Sequence, residues 1–260
     1  MKNIILNILL IGCIAVFIFS GWKLISALTE YRKGEKNYEV LLEKAVISPD
    51  TSNPTEKQEK EPEEEKEESL PVIDWDALKA MNEDLVGWIY IPGTKIHYPI
   101  VQGDDNDYYL THTFDKSRNS CGAIFMDINN QADFSSDNTL LHGHNMKNKT
   151  MFGTLRYYSE KSYWEEHPYI WIIKENTVAK YEIFSTGRTE AGSDVYTLEF
   201  ASEKSFQDYI VQRSKTGADY DTGVEVTTKD KLLTLSTCTS DTETGRRVVQ
   251  ARLIEEKVTQ

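Results

Sequence analysis

Cysteine is scarce in this chain: there are three in 260 residues, at positions 13, 121 and 238. A secreted scaffold held by disulfides would carry more of them, evenly paired, so only a single Cys121–Cys238 bridge stays open. Neither Cys-x-x-Cys nor His-x-x-x-His spacing occurs, which removes the usual zinc arrangements. Clusters of Lys and Arg are missing too. With a formal net charge of −13 the chain lacks the basic footprint of a nucleic-acid binder, and that class of partner is set aside. No internal repeat is present.

Large apolar side chains are nearly absent from Ser48 to Leu70, and Glu56 to Ser69 is almost all Glu and Lys around Pro62. Such a stretch cannot bury enough apolar surface to offset its ordering entropy, so residues 48–70 read as a disordered acidic linker acting as a solvated tether. Its eight Glu against three Lys carry five of the net negative charges, which leaves the rest only mildly acidic. Charge is absent, by contrast, from Ile4 to Trp22, an apolar run of about nineteen residues that is long enough to span a bilayer. A cleaved signal peptide would have a shorter core ending in a small-x-small site, and Ser20-Gly21-Trp22 is a poor one. Residues 1–25 are therefore read as a membrane anchor and 26–47 as a juxtamembrane helix that stands off the membrane. A folded domain follows over 71–260. Lys2 lies on one side of the span and Lys23, Arg32, Lys33 and Lys36 on the other, so the positive-inside rule does not point to an external domain.

In the folded part, Asp74 reads as the cap of a short helix carrying Leu78 and Met81. Short β-type runs broken by turn residues follow at 86–91, 96–101, 123–126, 139–142, 169–173, 178–186, 231–238 and 246–255. Many short strands at this spacing predict a mainly β domain, a barrel or sandwich, with peripheral helices. One longer helix is predicted from Ser202 to Lys215, with Phe206, Tyr209, Ile210 and Val211 near one face and Gly217 as its C-cap.

The run Leu232 to Cys238 divides by parity: Leu233 and Leu235 face a core, while Thr234, Ser236 and Cys238 share the opposite, more polar face. A thiol at a strand end beside a loop is well placed to meet a substrate, although a small buried hydrophobe is the equal alternative. In the last strand Arg246 falls with Val248, Gln250 and Arg252 on the more polar face, and Arg247 falls with Val249, Ala251 and Leu253. The short connection from Thr239 to Gly245 makes the two strands antiparallel neighbours, which sets Arg246 near Cys238. A guanidinium there would steady an oxyanion, or would serve only as an ion-pair partner. A thiol acting on an amide also needs a proton donor for the departing amine, usually histidine. Of the five histidines, His97 and His167 read as structural and His112 has no distinguishing context. His142 and His144 flank Gly143, which parity cannot separate and which lets the chain turn sharply.

Thr234-Leu235-Ser236-Thr237-Cys238 resembles the Thr-Leu-x-Thr-Cys signature of sortases, and Gly143-His144-Asn145-Met146 resembles their histidine loop. Gly87 to Thr94, Tyr98 to Gln102, Asp107 to Leu110 and Met151-Phe152 match in the same order across residues 72 to 256, and the helix before the Cys strand is similar to a class B insertion. The resemblance implies a sortase-type eight-stranded β-barrel with an N-terminal transmembrane helix and no cofactor. Its catalytic residues would be Cys238, His144 and Arg246, with Arg247 as fallback. Thr234, Ser236, Thr237 and Asn145 are expected at the substrate groove, and His142 as a neighbour where the family often has an aromatic residue. Asp241 departs from the family pattern, because Thr239 and Ser240 separate it from the cysteine. The implied activity cleaves the C-terminal sorting signal of a secreted surface protein after Thr and transfers the protein to an amino group of peptidoglycan or a pilin lysine. It would act from a single-pass anchor on the extracellular face. A cysteine peptidase using water, and a non-enzymatic anchored binding domain, remain the alternatives.

Overall fold

The structure, a computed structural model, describes residues 2–47, 70–239 and 241–259. Its first element is one continuous helix, α1 (Lys2–Ala45). Leu9, Phe17 and Trp22 are 61, 80 and 63 % exposed, as expected of a segment whose solvent is lipid. Further along the helix Gly34, Tyr38, Leu41 and Ala45 are buried. Their spacing of four, three and four residues draws a single apolar stripe, which packs on the folded domain. The juxtamembrane helix expected over 26–47 is helical to Ala45 and, besides any stand-off role, is docked on the folded domain.

Strand β1 (Val46–Ile47) follows the helix without a break and pairs antiparallel with β2 (Val72–Ile73), setting Val46 opposite Ile73 and Ile47 opposite Val72. Apart from Leu70, the acidic segment expected over 48–70 lies outside the described residues. Its two flanks are described, and they are hydrogen-bonded to each other. Helix α2 (Trp75–Met81) begins where expected: the Asp74 carboxylate accepts from the Ala77 amide at 2.9 Å, satisfying one orphan donor of the first turn. Leu78 is buried, whereas Met81 is exposed.

Eight strands then close a barrel: β3 (Leu85–Tyr90), β4 (His97–Val101), β5 (Ile124–Met126), β6 (Asn138–His142), β7 (Tyr169–Ile173), β8 (Thr177–Glu190), β9 (Leu232–Cys238) and β10 (Gly245–Val258). Around the barrel they run β10-β8-β7-β3-β4-β5-β6-β9. Closure leaves no free sheet edge. Two neighbours, β4 with β5 and β6 with β9, are parallel, which places the C-terminal ends of β6 and β9 side by side. Ile89, Ile100, Ile124, Leu141, Leu233, Leu235, Val249 and Ala251 share the inward face, and Trp88, on the opposite face of β3, is buried against His97.

A second, smaller core lies outside the barrel. Helix α3 (Lys161–Glu166) was not expected, and α4 (Glu203–Val211) occupies the long connection before β9. Ser202 caps α4 in a reciprocal box with Ser205, and Phe206, Tyr209 and Ile210 pack with Phe184 and Leu232 on the outer face of the sheet. Val211, expected on that face, is 43 % exposed. The helix ends in a π turn (Gln212–Thr216) before Gly217. Beneath it the buried Tyr209 hydroxyl donates to the Val195 carbonyl at 3.1 Å and accepts from Gln250 Nε2 at 2.6 Å and Asn138 Nδ2 at 3.3 Å. Tyr209→Phe is expected to lower stability in urea unfolding by about 1–3 kcal/mol, since it leaves buried donors and an acceptor unpaired while changing almost no volume.

Candidate active site

Cys238 ends β9 and is exposed. Directly across the antiparallel ladder stands Arg246, paired with it in register. The guanidinium donates to the Gly245 carbonyl at 3.0 Å and the Glu243 carbonyl at 3.3 Å. From the adjacent parallel strand β6 the chain continues through Gly143 to His144. Gly143 is required for space and has no left-handed backbone to accommodate: a Cβ there would come within 2.5 Å of Ile124 Cδ1 and 2.7 Å of Phe152 Cδ2. His144 Nε2 lies 2.6 Å from the Leu110 carbonyl. A carbonyl can only accept, so Nε2 carries the hydrogen and Nδ1 is the nitrogen left for proton exchange in the neutral ring.

Cys238, His144 and Arg246 line one cleft of about 400 Å³, together with Leu110, Thr237 and Tyr196. The three residues singled out for chemistry thus converge. Of the four expected at the groove, Ser236 lines the cleft and shares a 3.0 Å hydrogen bond with the Tyr196 hydroxyl. Thr237 also lines it, with its hydroxyl donated to the Gly143 carbonyl at 2.6 Å. Asn145 acts on the backbone: its Nδ2 donates to the Cys238 carbonyl at 2.8 Å, and Arg156 holds its oxygen. Thr234 is not at the groove. It is fully buried beneath α4, donating to Asn138 Oδ1 at 2.8 Å and accepting from Gln250. Parity assigned its face correctly, but α4 covers that face, so only the last two alternate positions of β9 emerge into the cleft.

Arg247 points away and is ion-paired to Asp219, with only 10 % of its side chain exposed. Asp241 is ion-paired to Arg188, whose guanidinium holds the carboxyl at about 2. Both cysteines of the folded domain are free, so no Cys121–Cys238 bridge forms. Cys121 is buried against α1, and burial pushes its thiol up to about 12. His167 bonds the Pro92 carbonyl at 2.9 Å, His97 lies against Trp88, and His112 stacks on Tyr108.

Apart from His142, expected as a neighbour, sequence reasoning missed the far wall of the cleft. His142 Nε2 sits 3.3 Å from Asp127 Oδ2, and its ring stacks on Phe125 with centroids 5.0 Å apart. Burial pushes the Asp127 carboxyl up, but hydrogen bonds from His142 and the Asn129 amides outweigh it and hold the group at about 2. Because the folded-state value is depressed below the ordinary 3.8, this contribution is full above that value and is lost as pH falls through about 2. Asp127→Asn is therefore expected to cost about 1 kcal/mol near neutrality, discounted because the carboxylate is only partly shielded from water. In denaturant titrations the gap from wild type should close between about pH 4 and pH 2. No signal in the sequence marked Asp127, which directly follows β5, or Tyr196, which ends the short 3-10 helix Asp194–Tyr196.

A closed barrel that brings a strand-end thiol, a histidine and an arginine to one cleft defines a cysteine-based acyl-transfer site. Comparison with known proteins assigns the family. A family model described as the Sortase domain matches residues 89–254. Sortase B of Listeria monocytogenes is 36 % identical over 247 residues, covering 93 % of each chain. Sortase B of Staphylococcus aureus is 31 % identical over 248 residues, covering 94 % of this chain and 93 % of that one. Among solved structures, a Staphylococcus aureus sortase B–substrate complex superposes with a TM-score of 0.65 at 32 % identity, covering 69 % of this chain and 84 % of that one. Clostridium perfringens sortase B gives 0.64 at 32 %, covering 69 % and 99 %. The chain belongs to the sortase family and is a cysteine transpeptidase of the sortase B type.

Proposed function

We propose that Cys238 is the nucleophile, His144 the proton carrier and Arg246 the oxyanion partner of a transpeptidation on C-terminal sorting signals. The observation that carries this reading is their convergence on one cleft, with Arg246 in register with Cys238. The Cys238 sulfur attacks the Thr carbonyl of the Thr–x bond, and the proton it gives up passes to His144. Negative charge develops on the carbonyl oxygen, where the permanently charged Arg246 stabilises it. As the C–N bond breaks, His144 delivers the proton to the departing amine, leaving a thioester on Cys238. An amino group of peptidoglycan or a pilin lysine then attacks the thioester, His144 takes its proton, and the sulfur leaves as the new amide forms. Ser236, Thr237 and Tyr196 form the wall along which the signal lies, and Asn145 holds the Cys238 backbone. The apolar stretch of α1 fits a membrane anchor, and a barrel acting on substrates secreted to the cell surface would work from its outer side.

The test incubates the full-length protein in detergent with an Asn-Pro-x-Thr peptide, with and without a wall-like amine, and reads product mass. An amine-dependent amide is expected. Free acid alone with every amine tried would make the enzyme a hydrolase and sink the transfer step.

A further inference from the structure

We propose that α1 is a rigid strut that holds the barrel at a fixed height against the bilayer surface, and that the acidic segment is not the tether. This rests on the reading of α1 as a membrane span. The helix is unbroken from its apolar stretch to Ala45. Between Trp22, which ends that stretch, and Glu30, where the domain first engages the helix, it rises only about 12 Å. At that level the Glu30 carboxylate accepts from the Ser120 amide at 2.9 Å, and the Glu30 carbonyl accepts from Asn119 Nδ2 at 3.1 Å. One turn on, the helix backbone presses onto the domain: a Cβ on Gly34 would come within 2.7 Å of Cys121 Sγ. The Tyr38 hydroxyl then donates to the Gly122 carbonyl at 2.8 Å and accepts from the Phe114 amide at 3.3 Å. Contacts at Glu30, Gly34 and Tyr38, each one turn apart on one face, leave no hinge in the docked part of the helix.

The acidic segment cannot supply the slack. Its flanks are joined by the β1–β2 pairing and by the Asp74 amide bonded to the Ala45 carbonyl at 2.8 Å, so residues 48–71 leave and return at one place. Whatever its length, it adds nothing to the distance between membrane and barrel. Lys23, directly after the apolar stretch, is exposed at the level where a lipid headgroup layer would meet it. The partner surface is thus the bilayer itself.

The test measures the height of the cleft. Full-length protein carrying Cys13→Ser is reconstituted in vesicles of phosphatidylcholine with phosphatidylglycerol, and a dye on Cys238 transfers energy to a headgroup dye. Cys121→Ala is carried as well, because undocking the helix would uncover that thiol. Deleting residues 50–68 should leave transfer unchanged, whereas a flexible Gly/Ser stretch of about twelve residues inserted after Ser26 should lower and broaden it. Gly34→Trp, which undocks the helix without altering its length, should broaden it as well. If the deletion shifts transfer, or the insertion does not, the strut fails while the anchor stands. Release of the protein by alkaline carbonate would overturn the anchor and the strut together.

Discussion

Cys238→Ala is expected to remove transpeptidation, with kcat/KM falling by at least about 10³-fold, while thermal unfolding stays within about 1 kcal/mol of wild type. The two halves of that expectation have separate causes. Cys238 is exposed at the end of β9, so losing its sulfur opens no cavity. Its structural tie is through the backbone, where Asn145 Nδ2 bonds the carbonyl, and alanine keeps that carbonyl. Chemistry, by contrast, has no second nucleophile to fall back on, because the other thiol of the folded domain is buried with its ionisation pushed up to about 12. His144→Ala should be comparably inactive. Groups that act as one unit are not additive, so the double variant should be hardly worse than either single one. Intact-mass spectra after incubation with substrate peptide would check this directly: wild type should accumulate an acyl adduct and Cys238→Ala none. Persistent turnover in Cys238→Ala would remove the nucleophile from this residue.

Much of the barrel was legible because strands with one buried face write their period into the sequence. The run at 169–173 coincides with β7, and most others lie within a few residues of theirs. β8 and β10 each reach fourteen residues, longer than expected, because their outer ends pair with each other where alternation fades. The core of the site was legible for the same reason: parity and a short connection put Arg246 beside Cys238, and the ladder pairs them. What period could not reveal was what lies on top of a face. Thr234 has the parity of Cys238, yet the packing of Tyr209 and Ile210 turns it into an interior residue. Nor could composition show that the flanks of the acidic segment are paired, since two-residue strands carry no periodic signal. The far wall of the cleft joins Asp127, just past β5, to Tyr196, in a three-residue 3-10 helix, and only tertiary structure brings them together.

The adjacent arginines offer the sharpest separation of chemistry from stability. Arg246→Ala is expected to lower kcat/KM by about 10²–10³-fold, the usual cost of losing one oxyanion donor, with little change in unfolding. Among the described residues its side-chain bonds reach the carbonyls of Gly245 and Glu243, so its removal strands no charged partner there. Arg247→Ala should do the reverse. The guanidinium is nearly buried and bonded to Asp219, itself 24 % exposed, and truncation leaves that carboxylate without its counter-ion. Breaking a fully buried pair costs about 3–5 kcal/mol, and partial access of water to Asp219 brings the expectation nearer about 2–3. Turnover in the folded fraction of Arg247→Ala should remain within a few-fold of wild type. Lysine should distinguish the roles further: at 246 it keeps the charge but loses the planar fork, so partial activity should return. A variant set in which Arg247→Ala lost activity with unchanged stability would exchange the roles of the two residues. Since the two positions differ by one residue and the side-chain period of a strand is two, that exchange would require the register between β9 and β10 to slip by one.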